Sequence, residues 1–147
     1  MFLSRICYFS FWLFDNLGIL SKIKLLKKNV MTMTIGAMFS WFVALILTLV
    51  LQIRKLLRLR AKSQRIRSIL KVSPEKKPNF ELDIVNIKRD TKTAWLTVVK
   101  SIGDLFPSGY GSGITLLLGN NVNDTHAGLG GLVSALVSCH EVWGKLK

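Results

Sequence analysis

Residues 31–53, MTMTIGAMFSWFVALILTLVLQI, carry no charged side chain, and Gln52 is their only strongly polar residue. As a helix rising about 1.5 Å per residue the stretch covers roughly 34 Å, enough to cross a hydrocarbon core of about 30 Å with some tilt. Buried helices of soluble proteins rarely stay apolar on every face for so long. The pattern predicts a transmembrane helix. Within it Gly36, Ser40, Ala44 and Thr48 recur every fourth residue and share one face. Small residues let backbones approach, which is what pairs helices in lipid, so this is the predicted packing face.

The flanking segments read differently. Residues 1–30 are apolar and aromatic with a basic end, interrupted by Arg5, Asp15 and Asn16. Arg5, Tyr8, Trp12, Asp15 and Lys22 form a polar-aromatic stripe at helical spacings. Either the segment is membrane-embedded, with that stripe against a neighbouring helix, or it lies in the interface, where Trp and Tyr are at home. Residues 54–72 predict a basic amphipathic helix with Leu56, Leu59, Ser63, Ile66, Ile69 and Leu70 on one side. That pattern suits a helix lying on a membrane; its alternative is a solvated helix whose apolar stripe meets another part of the chain.

Two prolines make residues 73–79 a linker, and Asn79 is the expected cap of the next helix, with Glu81 and Asp83 in its first turn. Residues 80–106 then predict an amphipathic helix. Ile84, Ile87, Thr91, Ala94, Val98 and Ile102 share its face, and Lys88, Arg89, Lys92 and Lys100 lie off it. Pro107 and the glycines at 109, 111 and 113 are expected to end it and open a Gly/Asn-rich turn region, 107–124. Residues 125–143, uncharged until Glu141, cover about 28 Å as a helix, marginal for a span. Ala127, Gly131, Ala135 and Cys139 form one row and Gly130, Ser134 and Ser138 the next. This reads as a second, tightly packed membrane helix, with the Gly36–Thr48 face as a candidate partner.

Charge sharpens the picture. Half of the 147 residues are hydrophobic, yet the net charge is +13 and the mean hydropathy +0.37, so the charge must be segregated. Lys22, Lys24, Lys27 and Lys28 precede the apolar stretch; Arg54, Lys55, Arg58, Arg60, Lys62, Arg65, Arg67 and Lys71 follow it. A basic collar beside an apolar helix points to lipid headgroups, at about 1 kcal/mol per cation near an anionic surface. Nucleic acid is the rival partner, and no zinc spacing or RNA-binding motif supports it. The heavier charge after the stretch places residues 54–71 on the cytosolic side by the charge rule, a rule learned for translocon insertion.

Candidate chemistry is sparse. Cys7 and Cys139 make no disulfide framework. A secretory signal peptide is not expected. The Asn123-Asp124-Thr125 triplet matches a glycosylation acceptor, a pattern frequent by chance. His126 and His140 stand near opposite ends of one helix, too far apart to share a metal. Gly109-Tyr110-Gly111-Ser112-Gly113 lacks the Gly-Lys-Ser/Thr ending of a phosphate loop. Asp15 has no second carboxylate at acid–base spacing, and no Ser or Cys sits in a nucleophile motif. The expectation is an all-α integral membrane helical protein with amphipathic helices, without catalytic, cofactor or metal residues.

Two segments resemble a known family. The segment 8–26, YFSFWLFDNLGILSKIKLL, is similar to the part of the peroxisomal biogenesis factor 11 family in which an aromatic run leads into a Phe-Asp-Asn-Leu core and a Ser-Lys-Ile stretch. Residues 123–139, NDTHAGLGGLVSALVSC, resemble that family's closing Gly-Leu-Gly-Gly…Ser…Ser-Cys segment, and KSIGDLF at 100–106 fits the helix before it. The matches come in the family's order. The resemblance implies a multi-pass peroxisomal membrane protein that promotes proliferation, elongation and division of the organelle through membrane association and self-assembly. It implies both ends in the cytosol, and the lysines at 22–28 as a targeting signal. The partners implied are the bilayer, further copies, the peroxisomal import receptor and the fission machinery. A pore for small metabolites is the alternative, with the Arg5–Asp15 stripe and the Ser134/Ser138 row as its candidate polar lining. Family members carry further helices, one of them membrane-bending, ahead of the aromatic segment. Because Met1 stands close to that segment here, a truncated member or incomplete gene model is expected.

Overall fold

The computed structural model describes residues 2–117 and 122–144, and every element among them is a helix. In chain order these are α1 (Phe2–Lys22), α2 (Val30–Val72), a 3₁₀ turn (Pro74–Lys76), α3 (Lys77–Ser112), α4 (Ile114–Leu117) and α5 (Asp124–Trp143). The chain divides into two compact units. One joins Met1–Leu49 to Val99–Lys147; the other is Val50–Val98.

In the first unit α1 and the start of α2 pack antiparallel. Ser4 and Tyr8 meet Thr48, Phe11 stacks on Trp41, Phe14 lies over Gly36, and Gly18 faces Met33. The turn between them is closed by Leu25 and Leu26 N–H donating to the Leu20 carbonyl, with Lys24 at a positive φ of 62°. A residue with a Cβ costs roughly 1 kcal/mol more there than glycine. The end of α3 returns along α2, with Gly109 beside Phe42 and Gly111 beside Met38. Helix α5 then packs antiparallel on α3.

That last contact is the tightest in the unit. A Cβ built on Gly130 would stand 2.5 Å from the Gly103 carbonyl oxygen, and one on Gly103 would stand 2.6 Å from the Gly130 oxygen. The two backbones therefore touch, each presenting a carbonyl to the other's Cα, a geometry suited to weak Cα–H···O contacts. Pro107, expected to stop the helix, lies inside α3 instead. A proline four residues after Gly103 removes the N–H that would have bonded the Gly103 carbonyl. That freed oxygen is the one facing Gly130. The neighbouring helix thus offsets part of what the proline costs, and α3 continues to Gly113, whose φ of +75° turns the chain.

Other boundaries moved for similar reasons. Helix α3 begins at Lys77, before Asn79, because Pro78 is compatible with a first turn; that turn contains no acid. The expected linker at 73–79 contains the 3₁₀ turn, and the first part of the expected turn region, 107–112, is helical. Residues 118–121, including Asn120 and Asn121, lie outside the described residues.

The expected partnership of the last helix with the Gly36–Thr48 face is not what forms. That face is taken by α1, and α5 sits on α3. Nor is the contact row of α5 the one containing Gly131 and Ala135. Gly130 and Ser134 are buried at the crossing, whereas Gly131 has nothing within 4 Å of a built Cβ and Ala135 is exposed. A Gly130→Ala change should therefore destabilise the folded chain by about 1–3 kcal/mol, through overpacking against backbone. Gly131→Ala should be neutral or slightly stabilising, since alanine is the better helix former. Thermal unfolding of the two variants in detergent micelles compares them, and equal midpoints would contradict the crossing.

Candidate functional site

Helix α2 is the one helix among the described residues long and apolar enough to cross a membrane. The expected second span over residues 125–143 forms a helix, but one too rich in Gly, Ser and His to pass the same test, so the structure does not support several crossings. Only 17% of the most apolar 18-residue part of α2 is buried in the chain. Ala37, Ala44 and Leu45 are buried, while Met31, Ile35, Phe39, Ile46 and Val50 stay exposed. The sides of the helix toward α1 and the end of α3 are thus used internally, and one stripe, Ile35, Phe39, Ile46 and Val50, is presented outward.

The internal face satisfies its polar groups. Thr48 donates to the Ala44 carbonyl at 2.8 Å, so Ser4 or Tyr8 must be the donor in their 3.3 Å and 3.4 Å contacts with its oxygen. Gly36 admits the Phe14 ring, and Ser40 is half-buried on the same side. On α1 the contact is made by Ser4, Gly18 and Ser21, all buried, with Phe11 and Phe14. Arg5, Trp12 and Lys22 of the polar-aromatic stripe are exposed, so of that stripe only Tyr8 and Asp15 are partly covered. Small residues make the contact because a helix can approach closely only where side chains are short. The sequence pattern singled out longer and more chemically varied residues, of which Arg5, Trp12 and Lys22 are exposed and Tyr8 joins the seam. Among the four lysines at 22–28, all are exposed, the last three in the turn after α1.

In α5, Ser134 is buried against Gly103, and the Ser138 hydroxyl donates to the Ser134 carbonyl at 2.9 Å. Of the row offered as a pore lining, Ser134 is taken up in helix packing and Ser138 is half-buried. His126 has a role that sequence reasoning missed. The Asn123 side chain accepts from His126 N–H at 3.1 Å, and His126 Nδ1 accepts from Asn123 N–H, closing a capping box at the start of α5. The signal was the Asn-x-x-His spacing, with histidine in the place usually held by Glu or Gln.

The second unit is an antiparallel pair, the end of α2 against the start of α3. Leu56 and Ile66 are buried with Ile87, Ala94 and Val98, and Leu59, Ser63 and Leu70 are half-covered. Apart from Ile69, which stays exposed, the apolar stripe of residues 54–72 therefore meets α3, which corrects the reading of a helix lying on a membrane by that stripe. Leu56, Ile66, Ile87 and Val98 each contribute about 1.5–3 kcal/mol, and the single methyl of Ala94 contributes less. The Lys62–Asp83 ion pair, 2.7 Å long but about half exposed, adds at most about 1 kcal/mol. Apolar packing holds this pair together. Arg54, Lys55, Arg58, Arg60, Lys62, Arg65, Arg67 and Lys71 remain exposed on its surface.

Tyr110 near the end of α3 faces Asp124 at the start of α5. The nearby Asp124 carboxylate, first as a hydrogen-bond acceptor and then through its charge, with desolvation last, raises the phenol's pKa above its ordinary 10.0. A raised folded-state pKa stabilises fully below that ordinary value and is lost as the pH climbs through the folded midpoint. The effect on stability is small because the group is exposed. In a Tyr8→Phe background only Tyr110 remains to titrate. Ultraviolet titration should then show Asp124→Asn lowering its midpoint, and an unchanged midpoint would dissociate the two residues.

A family model for peroxisomal biogenesis factor 11 (PEX11) matches residues 1–143. Comparison with curated proteins and with solved structures gave no match. With the aromatic first helix, the basic turn and the Gly-Leu-Gly-Gly helix all inside the matched region, the chain belongs to the peroxisomal biogenesis factor 11 family.

Proposed function

We propose that this chain is a peroxisomal membrane protein that promotes proliferation, elongation and division of the organelle, anchored by α2 and acting through self-assembly. The family match supports the biogenesis role, and the outward apolar faces of α2 support the anchor. Exposed Phe39 and Ile46 would be costly in water and are at home in lipid. Self-assembly is supported by α1 and α5, whose outer faces expose Phe2, Phe9, Trp12, Leu129, Leu132 and Leu136. The exposed lysines at 22–28 are the proposed targeting signal, read by the peroxisomal import receptor, and the fission machinery acts downstream.

The tagged chain should coincide with peroxisomes, resist alkaline carbonate extraction, and raise peroxisome number or length on overexpression. Phe39→Lys with Ile46→Lys should release it, because each charge near the bilayer centre costs roughly 2.5–3.5 kcal/mol. Release of the unaltered chain into the aqueous fraction, or its residence in another organelle, would overturn the reading.

A further inference from the structure

We infer that the cleft between α2 and α3 in the second unit binds an anionic lipid headgroup bearing phosphate monoesters. The cleft encloses about 420 Å³, within the usual size range of small-ligand sites. Arg60 and Arg67 line it from α2, and Lys88 and Lys92 line it from α3. Leu59 supplies an apolar wall, and Trp95 stands beside the cations with 46% of its surface exposed. No acid lines the cleft. The unit holds thirteen Lys and Arg against four Asp and Glu, and Asp83 is already bonded to Lys62 outside the cleft.

Lys88 and Lys92 are one helical turn apart, a like-charge spacing that works against the helix unless an anion intervenes. The chemistry of the four cations fits one ligand class. A phosphate monoester carries a charge of about −1.5 to −2 and three strong acceptor oxygens. The two guanidinium groups, about 10 Å apart along the helix axis, can each grip a phosphate with paired N–H donors, and the ammonium groups supply mobile point charges. The indole of Trp95 favours a boundary between apolar and wet surroundings.

The position favours a lipid as the source of the phosphate. Ile53, the last residue of the apolar stretch, lies on the same helix and in the same unit. Leu59 to Arg67 follow it by six to fourteen residues, about 9–21 Å along the axis. The polar zone of a bilayer leaflet is only about 5–8 Å deep. A headgroup that projects beyond its phosphodiester, such as a phosphorylated polyol, can reach that level, and a simple serine headgroup cannot. This inference rests on the proposal that α2 crosses a bilayer. Failure of that proposal appears as loss of carbonate-resistant attachment, whereas failure of this one leaves attachment intact.

The test uses the full chain in phosphatidylcholine vesicles, following energy transfer from tryptophan to a dansyl-labelled phosphatidylinositol bisphosphate. Unlabelled phosphatidylinositol bisphosphate should compete at least about tenfold better than phosphatidylserine at matched charge. Replacing Arg60, Arg67, Lys88 and Lys92 by Gln should weaken the transfer about tenfold or more. Replacing Arg54, Lys55, Arg58 and Lys71, which lie outside the cleft, should change it less than about twofold although the same charge is removed. If the first variant loses helicity by circular dichroism, the Lys88→Gln, Lys92→Gln double substitution carries the same comparison. Equal losses in the cleft and control variants would overturn the site, as would soluble inositol trisphosphate or duplex DNA competing as well as the lipid.

Discussion

Two helices can touch backbone to backbone only where neither has a side chain in the way, and α3 and α5 do so at Gly103 and Gly130. Pro107 stands four residues after Gly103 in α3. By withholding an N–H, the proline frees the Gly103 carbonyl, and the freed oxygen is the group that Gly130 approaches. A residue that would break an isolated helix is accommodated because a second helix covers the unpaired group. The capped start of α5 at Asn123 and the proximity of Asp124 to Tyr110 accompany that contact.

The same economy of side chains joins α1 to α2. Gly18, Gly36, Ala37, Ala44, Ser4 and Ser21 make the seam, and the aromatic rings of Phe11, Phe14 and Trp41 fill the space that the small residues leave. Contacts of this kind need no hydrophobic drive between helices, which is the situation in lipid. They also leave Ile35, Phe39, Ile46 and Val50 of α2 exposed. The second unit works by the opposite rule. Its helices are held by Leu56, Ile66, Ile87, Ala94 and Val98, an apolar seam of the kind that assembles in water, under a surface rich in cations. One long helix, α2, thus takes part in two kinds of packing along its length.

Much of this was readable in the chain. The uncharged run at 31–53, the small-residue face at Gly36–Thr48 and the basic collars are local patterns, and each marks a helix with one preferred side. The family was legible too, because its aromatic and glycine-rich segments retain their residues and their order. Less legible were the partners of each face. Gly130 and Gly131 are adjacent and chemically identical; only the approach of α3 makes one of them indispensable and leaves the other in open space. Nor did the distance between His126 and His140 announce that the His126 ring closes a capping box.

Local sequence determined that this protein is helical, where its longest apolar run lies and how its charge is segregated, because periodicity and composition act over a few turns of one helix. Tertiary structure alone decided that the stripe of residues 54–72 meets α3, that the Gly36–Thr48 face receives α1, and that Pro107 lies inside a helix. In each case the deciding group belongs to a residue distant in sequence, a carbonyl, a ring or an aliphatic side chain, whose arrival changes the energy of a position that its neighbours alone leave open.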